Sequence, residues 1–187
     1  MKILVGVSGA SGAIYAYTLL KNIKEEKHLI ISDNAKELIE FELNIKTENF
    51  KKLADYFYED SDLSAPVSSG SFKIDAMIII PASVSTLSKI ANGIADTLIT
   101  RAAAVCLKER RKLIIVFREM PLSTIHLKNM YELSVAGAII MPAAPAFYTK
   151  PKTIEDLADQ VSGRILDLIG LETKIPRWHK SLRKNDQ

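Results

Sequence analysis

The sequence predicts an α/β protein, a three-layer α/β/α sandwich around a parallel sheet of the flavodoxin-like or Rossmann-like kind. Two observations lead to this fold class. Short apolar runs of the kind that form buried parallel strands alternate along the chain with longer segments whose apolar residues have helical spacing. A glycine-rich turn joins the first strand to the first helix. The 187 residues suffice for one full core and show no internal repeat, so we predict a single domain over residues 1–187.

The first strand, residues 2–7, runs into the glycine-rich turn that begins the first helix. A strand, a glycine turn and a helix in this order favour an anion site, because free main-chain N–H groups at the helix start can face a phosphate. The glycine spacing, G-x-x-G-x-x-G from Gly6, matches neither the dinucleotide fingerprint nor the Gly-Lys-Ser/Thr phosphate loop. A phosphate ligand such as a mononucleotide and a tight turn without a ligand therefore both stay open. The hydroxyls of Ser8 and Ser11 are expected either to cap the helix or to bind a ligand.

The second strand opens near His28, which we expect to be exposed, and Ser32 caps the helix that follows. Residues 44–62 are acidic and aromatic without a clean period, and we predict a short helix and an edge segment there. Residues 62–72 are small and polar, a composition typical of a linker or a binding loop rather than of a core.

The third strand, residues 75–81, is followed by three hydroxyl-bearing residues within 83–86. Ligands bind at the carboxyl ends of strands in parallel α/β sheets, so these hydroxyls favour a phosphate site as much as an ordinary helix cap. The next long helix, which ends near Arg110, holds Arg101 within an apolar, alanine-rich segment. An arginine there is more often a surface or interface residue than a ligand.

Arg118 and Glu119 follow the fourth strand and precede a helix capped by Ser123 or Thr124. In this architecture the end of a strand is a functional position, so we favour a functional role for the two charged residues. His126, on the helix itself, is expected to be packed or to serve in a cap rather than to be catalytic.

The fifth strand, residues 137–142, completes the predicted sheet, and a last helix runs from Thr153 to Gly170. The tail, about residues 172–187, is basic and holds the single tryptophan, Trp178. A lone tryptophan in such a tail more often docks on a surface than stays free, and we predict that the tail packs on a neighbouring subunit.

The bulk composition excludes several classes of function. The net charge of +3 is too small to indicate a nucleic-acid partner. The single cysteine, Cys106, excludes a disulfide framework and is expected to be a buried small hydrophobe. No stretch approaches the about 20 apolar residues of a membrane span, and the apolar run at residues 3–7 is too short for a signal segment. We therefore expect a cytoplasmic protein.

Four segments together resemble the UbiX family of flavin prenyltransferases, which belongs to the decarboxylase-like flavoproteins. They are residues 107–111 (LKERR), 118–123 (REMPLS), 126–130 (HLKNM) and 141–148 (MPAAPAFY). The similarity covers nearly the whole chain, from the glycine turn at 7–13 to residues 176–178 in the tail. Each segment alone is weak evidence for the family, but the four segments in this order are highly specific for it.

The resemblance implies an enzyme that binds reduced FMN and transfers a dimethylallyl group from dimethylallyl monophosphate to N5 and C6 of the flavin. The prenylated FMN then serves UbiD-type decarboxylases as their cofactor, and no metal takes part. The family forms dodecamers with the site at a subunit junction, so a homo-oligomer is expected. The resemblance leaves open whether the donor is a monophosphate or a diphosphate, which decarboxylase and aromatic substrate lie downstream, and whether the pathway is ubiquinone biosynthesis.

The resemblance also implies site residues, each by its match to a family position. Contacts to the flavin are implied for Gly9, Ala10, Ser11, Ser32, Ser83, Val84, Ser85, Thr86, Arg101 and Arg118. The donor phosphate is implied to bind Lys108, Tyr148 and Arg164. The prenyl pocket is implied to include Glu42 and Trp178. Glu119 matches the acid/base residue, and Ser11 matches a hydrogen-bond partner of flavin N5.

These residue types suit that chemistry. A leaving phosphate carries about −1.5 to −2 charges, which Arg, Lys and a tyrosine hydroxyl stabilise as the C–O bond breaks. An aromatic face such as that of Trp178 stabilises an allylic cation, and Glu119 can move the proton released from C6.

Two alternatives stay open beside this interpretation. One is an FMN-dependent decarboxylase, acting on an aromatic acid or, oxidatively, on peptidyl-cysteine. The oxidative relatives use a histidine in the first helix, which residues 12–26 lack. The other alternative is a non-catalytic flavin carrier for a UbiD partner. The presence of the predicted phosphate and acid/base residues counts against it, since flavin binding alone does not need them.

Overall fold

A computed structural model of the protein describes residues 1–178, and in them six parallel strands form one sheet between two layers of helices. The strands are β1 (Lys2–Val7), β2 (Glu26–Ile31), β3 (Tyr56–Glu59), β4 (Ala76–Ala82), β5 (Lys112–Phe117) and β6 (Ile139–Pro142). The helices are α1 (Ala13–Asn22), α2 (Asp33–Leu43), α3 (Thr47–Lys51), α4 (Val84–Ala91), α5 (Leu98–Lys108), α6 (Thr124–Val135) and α7 (Ile154–Ile169). The predicted three-layer α/β/α sandwich is confirmed. Within the described range, no helix combines the length and the apolar character that a membrane crossing requires.

The strand order is β3-β2-β1-β4-β5-β6, the order of a Rossmann-type doubly wound sheet. The chain adds β2 and β3 on one side of β1 and then crosses to β4 on the other side. In such sheets ligands bind beyond the carboxyl ends of the strands where the order reverses. Here that place is the crevice between β1 and β4.

The predicted number of five strands is wrong, because residues 44–62 supply a sixth. They fold as the short helix α3 and the strand β3, which pairs with β2 at the edge of the sheet. The predicted short helix and edge segment are therefore present, and the edge segment is a strand. Its sequence shows no clean alternation because all four residues of this edge strand keep some exposure.

Each face of the sheet packs against its own helices. On one face, Ile3, Val5 and Val7 of β1 pack with residues of α1, α2, α3 and α7. On the other face, Leu4 belongs to a second cluster with α4, α5 and α6. The strand β4 is buried along its whole length and β1 and β5 nearly so, which is why their sequences are continuous apolar runs rather than alternating ones.

Residues 62–72, predicted as a linker or a binding loop outside the core, belong partly to the core, and the prediction is wrong there. Ala65 and Val67 are buried in the second cluster. Arg111 fixes the end of the segment by donating hydrogen bonds to the carbonyls of Gly70 and Phe72. The connection from β3 to β4 crosses this face of the sheet, so its small apolar residues fill the space beside α5.

His28 is buried, with 2% of its surface exposed, so its predicted exposure is wrong. Its Nδ1 lies 2.9 Å from the Tyr58 hydroxyl, and its Nε2 lies 2.8 Å from Glu26 Oε1. Its ring stacks on Tyr56 at 4.7 Å between centroids and meets the edge of Phe72 at 5.4 Å. The burial depends on the pairing of β3 beside β2, which places Tyr56 opposite His28.

Ser8 joins the carboxyl ends of β1 and β4 at the crevice. Its Oγ donates to the carbonyl of Pro81 at 3.0 Å and accepts from the amide of Ser83 at 2.8 Å. The residue is 2% exposed. Ser8 therefore neither caps α1 nor faces a ligand, because the connection to β4 uses its donor and one of its acceptors.

Ser8→Ala should lower the free energy of unfolding by about 1–3 kcal/mol, because the Pro81 carbonyl and the Ser83 amide lose the hydroxyl between them. Urea denaturation followed by circular dichroism measures the change. Ser134→Ala, at an exposed position of α6, is the control and should stay within about 0.5 kcal/mol of wild type. Equal stability of the two variants would contradict the bridging role of Ser8.

Candidate active site

The carboxyl edge of the sheet brings together most of the residues that the sequence assigns to a flavin site. The turn after β1 holds residues 9–11, Ser32 follows β2, the loop after β4 leads into residues 83–86, and Arg118 and Glu119 follow β5. Because every strand is parallel, these carboxyl ends lie at one edge, around the crevice between β1 and β4.

Two glycines give the turn after β1 its path. A Cβ at Gly9 would lie 2.7 Å from the Cβ of Asn34, so a glycine is needed where the turn packs on the start of α2. Gly12 caps α1 with a φ of 111°, a left-handed conformation that favours glycine. The turn therefore presents its main chain and the exposed residue Ser11 at the edge.

The start of α1 is not an open anion site, which was one of the two possibilities that the sequence left open. Glu42, on α2, accepts hydrogen bonds from the amides of Gly12 and Ala13 at 2.9 and 2.8 Å. The N-cap residue of α1 is a glycine, which has no side chain to cap the helix. A carboxylate from the neighbouring helix instead binds the first N–H groups of α1 and complements the helix dipole. Glu42, assigned to the prenyl pocket by resemblance, is thus held beside the turn by the main chain.

The starts of α2 and α4 present main-chain N–H groups at the same edge. Ser32 caps α2, as predicted, by accepting from the amide of Ala35 at 3.3 Å. Ser83 caps α4 by accepting from the amide of Thr86 at 3.2 Å and donates to its hydroxyl at 3.0 Å. In each helix the first two amides after the cap have no hydrogen-bond partner within residues 1–178. Both helix starts therefore offer N–H donors and a positive dipole end to an anion.

Arg118 links the loops after β5 and β1. Its Nε donates to the carbonyl of Ser11 at 2.8 Å. Tyr15, on α1, lies near Arg118: burial raises the pKa of Tyr15, and the charge of the guanidinium acts in the opposite direction. Glu119 is exposed, and its Oε1 accepts from the amide of Met120 at 3.0 Å. The guanidinium of Arg118 thus meets the Ser11 main chain at one side of the crevice, and Glu119 is the next residue along the same loop.

The helix α5 separates two cationic residues that the resemblance assigns to the site. It begins at the carboxyl edge, where the Leu98 amide donates to the carbonyl of Asp60, and it exposes Arg101 near its start. Lys108 is the last residue of the helix, about 10 Å further along its axis and toward the amino edge. There its Nζ lies 3.3 Å from Glu109 Oε1, and 62% of the side chain is exposed. Arg101 therefore joins the carboxyl-edge group, and Lys108 does not.

A groove of 430 Å³ beside β6 holds the other two predicted phosphate residues, Tyr148 and Arg164. Its walls are apolar apart from these two residues and Gln160, whose Oε1 accepts from the amide of Ala146. The ring of Trp178 meets the ring of Tyr148 edge to face at 5.4 Å between centroids, so the tail reaches one end of the groove. The groove suits a molecule with an apolar body and an anionic end.

A larger cavity, of 780 Å³, lies between α7, the loop 149–152 and residues 172–176 of the tail. Lysines and carboxylates are among the residues that line it, but none of the predicted site residues is. We therefore locate the candidate site by its chemistry rather than by cavity size, at the carboxyl edge and in the groove beside β6.

The described part of the tail, residues 172–178, lies on α7 of its own chain. Arg177 donates two hydrogen bonds of 2.7 Å to Asp167. Residues 179–187 lie outside the described residues. Packing of the tail on a neighbouring subunit therefore stays a prediction.

One chain does not bring the three predicted phosphate residues together. Tyr148 and Arg164 share the groove beside β6, next to α7, whereas Lys108 ends α5 on the opposite face of the sheet.

Among the described residues there is no group of three His, Cys, Asp or Glu side chains that could hold a metal ion.

Sequence reasoning missed three residues that support these sites. Tyr15 lies against the turn after β1, Gln160 holds the loop after β6, and Asp167 accepts a hydrogen bond from Arg164 at 2.8 Å. The sequence signal for the two α7 residues was a polar side chain next to the apolar stripe of a helix, which is too common to indicate a site.

Comparison with known proteins agrees with this geometry. The family model described as Flavoprotein matches residues 1–166. A curated flavin prenyltransferase UbiX from Thermoplasma acidophilum is 56% identical over 95% of this chain and 100% of that protein. The crystal structure of AnUbiX in complex with FMN and dimethylallyl pyrophosphate has a TM-score of 0.94 and 47% identity, over 96% of this chain and 97% of the other. The crystal structure of a dodecameric FMN-dependent UbiX-like decarboxylase from Escherichia coli O157:H7 has a TM-score of 0.94 and 46% identity, over 96% of this chain and 100% of the other.

The fold and the edge of anion donors define the class, a flavoprotein built on an α/β/α sandwich. Within that class, the chain belongs to the UbiX family of flavin prenyltransferases. The family predicted from the four sequence segments is confirmed.

Glu42→Ala should lower the free energy of unfolding by about 1 kcal/mol, because it leaves the first N–H groups of α1 without a cap. Urea denaturation measures the loss, and hydrogen exchange locates it, since the amides of Gly12 and Ala13 should exchange faster. Glu37→Ala, at an exposed position of the same helix as Glu42, is the matched control. It should change neither the free energy of unfolding nor the exchange rates of the Gly12 and Ala13 amides as Glu42→Ala does. Unaltered exchange at those two amides in Glu42→Ala would show that the carboxylate is not their cap.

Proposed function

We propose that this protein transfers a dimethylallyl group from dimethylallyl phosphate to N5 and C6 of reduced FMN. The observation that carries the proposal is the groove beside β6, which has apolar walls and holds Arg164 and Tyr148. A dimethylallyl phosphate has the same division into a small branched hydrocarbon and an anion. The curated name of the Thermoplasma relative and the two molecules bound to AnUbiX support this proposal.

The donor set at the carboxyl edge fits FMN. The N–H groups at the starts of α2 and α4, with the hydroxyls of residues 83–86, would hold its phosphate. Residues 9–11 would border its ring, because they form the turn at the carboxyl end of β1, beside the crevice. Arg101 and Arg118 add positive charge at this edge. When bound, reduced FMN would supply the nucleophilic nitrogen and carbon of the reaction.

Residues of the chain itself would orient the reactants and move a proton. Arg118 holds the carbonyl of Ser11, which fixes the turn and with it the Ser11 hydroxyl that is proposed to bond flavin N5. Glu119 would take the proton that leaves C6 and pass it on as a general acid. Among residues 1–178, only Oε1 of this carboxylate has a hydrogen-bond partner, so Oε2 is open to the proton.

Arg164, Tyr148 and Lys108 would stabilise the charge that grows on the phosphate as the C–O bond breaks. Since one chain separates Lys108 from the other two, we propose that neighbouring copies complete each site. Trp178 and Glu42 would line the apolar end of the pocket. The dodecameric relative from Escherichia coli supports such an assembly.

The surface of α6 also supports a homo-oligomer. Ile125, Tyr131 and Val135 are each exposed by about two thirds, at 69%, 67% and 66%. Large apolar side chains grouped on one helix are typical of a surface that another chain covers. A further copy of this chain is the proposed cover.

A UbiD-type decarboxylase is the proposed recipient of prenylated FMN, and the cytoplasm is the proposed location. The oxidative decarboxylase has less support from the structure. The histidines within residues 1–178 are His28, buried at the start of β2, and His126, whose Nδ1 accepts from the amide of Ser123 in the cap of α6. Neither lies on α1, the helix in which the resemblance led us to expect the histidine of that alternative.

Anaerobic incubation with reduced FMN and dimethylallyl monophosphate should add one dimethylallyl unit to the flavin, as measured by mass spectrometry. Glu119→Gln should slow the reaction by about 100-fold or more with FMN still bound, because an amide does not accept the C6 proton. Glu48→Gln, at an exposed position of α3, is the control and should keep the wild-type rate.

The same measurement with the diphosphate decides between donors. If only the diphosphate gives prenylated flavin, prenyl transfer stands and the donor is the diphosphate rather than the monophosphate. If the mass of the flavin is unchanged with both donors, the result contradicts prenyl transfer and favours a non-catalytic flavin carrier.

Mixed oligomers test whether the phosphate residues come from different copies. Oligomers assembled from equal amounts of Lys108→Ala and Arg164→Ala chains should recover about a quarter of the wild-type rate, because about one site in four combines two intact residues. Co-expression with two affinity tags and tandem purification provides the mixture, and the rate of prenylated flavin formation is measured.

The control mixture combines Tyr148→Ala with Arg164→Ala. These residues line the groove of the same chain, so every site should stay defective. Recovery in the control, or none in the test mixture, would contradict a site shared in this way.

A further inference from the structure

A single carboxylate on α7, that of Asp167, holds two arginines. Arg177 of the tail donates to both of its oxygens at 2.7 Å, and Arg164 donates to Oδ2 at 2.8 Å. The hydroxyl of Thr173 lies 3.3 Å from Oδ1. Only 14% of the Asp167 side chain is exposed, against 52% for Arg164 and 48% for Arg177. The oxygen Oδ2 is therefore shared between an arginine of the helix and an arginine of the tail.

The path of the tail along α7 depends on this cluster. Gly163 lies one turn before Asp167, and a side chain at that position would overlap with Ile175 of the tail. Arg177 is followed directly by Trp178, whose ring packs at the groove beside β6. The tail thus lies in a notch of the helix and carries Trp178 from the carboxylate to the groove.

Asp167 is charged in this cluster. Burial works against its ionised form, but the hydrogen bonds and charges of Arg177 and Arg164 outweigh burial and lower the pKa of Asp167. Asp167 in turn raises the pKa of Arg177. One negative and two positive groups leave the cluster able to attract a further anion.

We propose that Asp167 is a positioning residue for the donor, which couples phosphate binding at Arg164 to a tighter hold on the tail. The inference rests on the proposed function, since it takes Arg164 as a ligand of the donor phosphate. A phosphate carries about −1.5 to −2 charges, so it attracts Arg164 more strongly than a shared carboxylate oxygen does.

The consequence for the tail follows from the two hydrogen bonds that remain. When Arg164 turns to the phosphate, Asp167 keeps its paired hydrogen bonds with Arg177, and Oδ2 is no longer shared. A bidentate pair of this kind is among the stronger side-chain interactions. The tail is then held more firmly, and with it Trp178, at the groove that takes the apolar part of the donor.

The coupling works in both directions. If a phosphate on Arg164 tightens the tail, then a tail held by Asp167 favours the phosphate by the same factor. Asp167 acts through the two arginines and touches neither donor nor flavin. Its loss should therefore raise the KM for the donor more than it lowers kcat.

The emission of Trp178 reports the position of the tail, because the chain has one tryptophan. FMN-loaded protein with the flavin oxidised, so that no turnover occurs, is titrated with dimethylallyl monophosphate and separately with inorganic phosphate. In the wild type both should shift the emission and raise its anisotropy in a saturable way. In Asp167→Asn the initial anisotropy should be lower, the response should be lost, and the KM for the donor should rise about tenfold.

Two more variants keep the test decisive if Asp167→Asn folds poorly. Arg177→Met changes a half-exposed residue and should loosen Trp178 and raise the KM in the same way, because Asp167 then holds Arg164 alone. Glu155→Gln, in the exposed first turn of α7, is the control and should behave as wild type in both measurements.

The outcomes separate this inference from the proposed function. Trp178 emission that ignores the donor, in protein that makes prenylated FMN, would overturn the coupling and leave the function intact. Wild-type anisotropy and KM in both Asp167→Asn and Arg177→Met would overturn the positioning role. Wild-type protein that makes no prenylated FMN would overturn the function and the coupling with it, while lower anisotropy in the two variants would still identify Asp167 as the anchor of the tail.

Discussion

The hydrogen bonds of Ser8 hold the sheet together at the point where the order of its strands reverses. The register of β1 with β4 runs to Gly6 and Ile79, and the Ser8 amide adds one more main-chain hydrogen bond, of 3.3 Å, to the carbonyl of Pro81. The Ser8 hydroxyl continues the connection to Pro81 and Ser83. The loops that carry the proposed flavin residues leave the sheet from this edge. The junction therefore fixes the distance between the turn after β1 and the cap of α4, on which any ligand in the crevice depends.

Two carboxylates use their charge to hold parts of the site in place. Glu42 binds the first amides of α1, and Asp167 binds Arg164 together with the tail. Glu42 reaches α1 from the neighbouring helix, whereas Asp167 binds Arg164 within its own helix and Arg177 from the tail, so each positive group has a negative partner. Strong donors held in this way need little rearrangement when an anion binds, which is how a site for a phosphate ester gains from preorganisation.

The sheet itself explains why a single chain offers an incomplete phosphate site. Lys108 stands at the end of a helix on one face, and the groove with Tyr148 and Arg164 lies beside a helix on the other. The sheet stands between them, and its central strand β4 is buried along its whole length. A site that needs all three residues must therefore form between copies, and the apolar surface of α6 is available for such contacts.

The sequence by itself determined the fold class, the side-chain caps of helices such as α2 and α4, and the family. Buried strands are visible as apolar runs, a cap such as Ser83 acts within three residues, and the spacing of the four segments is specific, so none of these needs the folded chain. Tertiary structure alone decided that a sixth strand joins the sheet and that this strand buries His28. It also decided that Glu42 caps α1 and that Lys108 lies far from Arg164. These features depend on which elements become neighbours, and contacts between residues far apart in the chain leave no local pattern in the sequence.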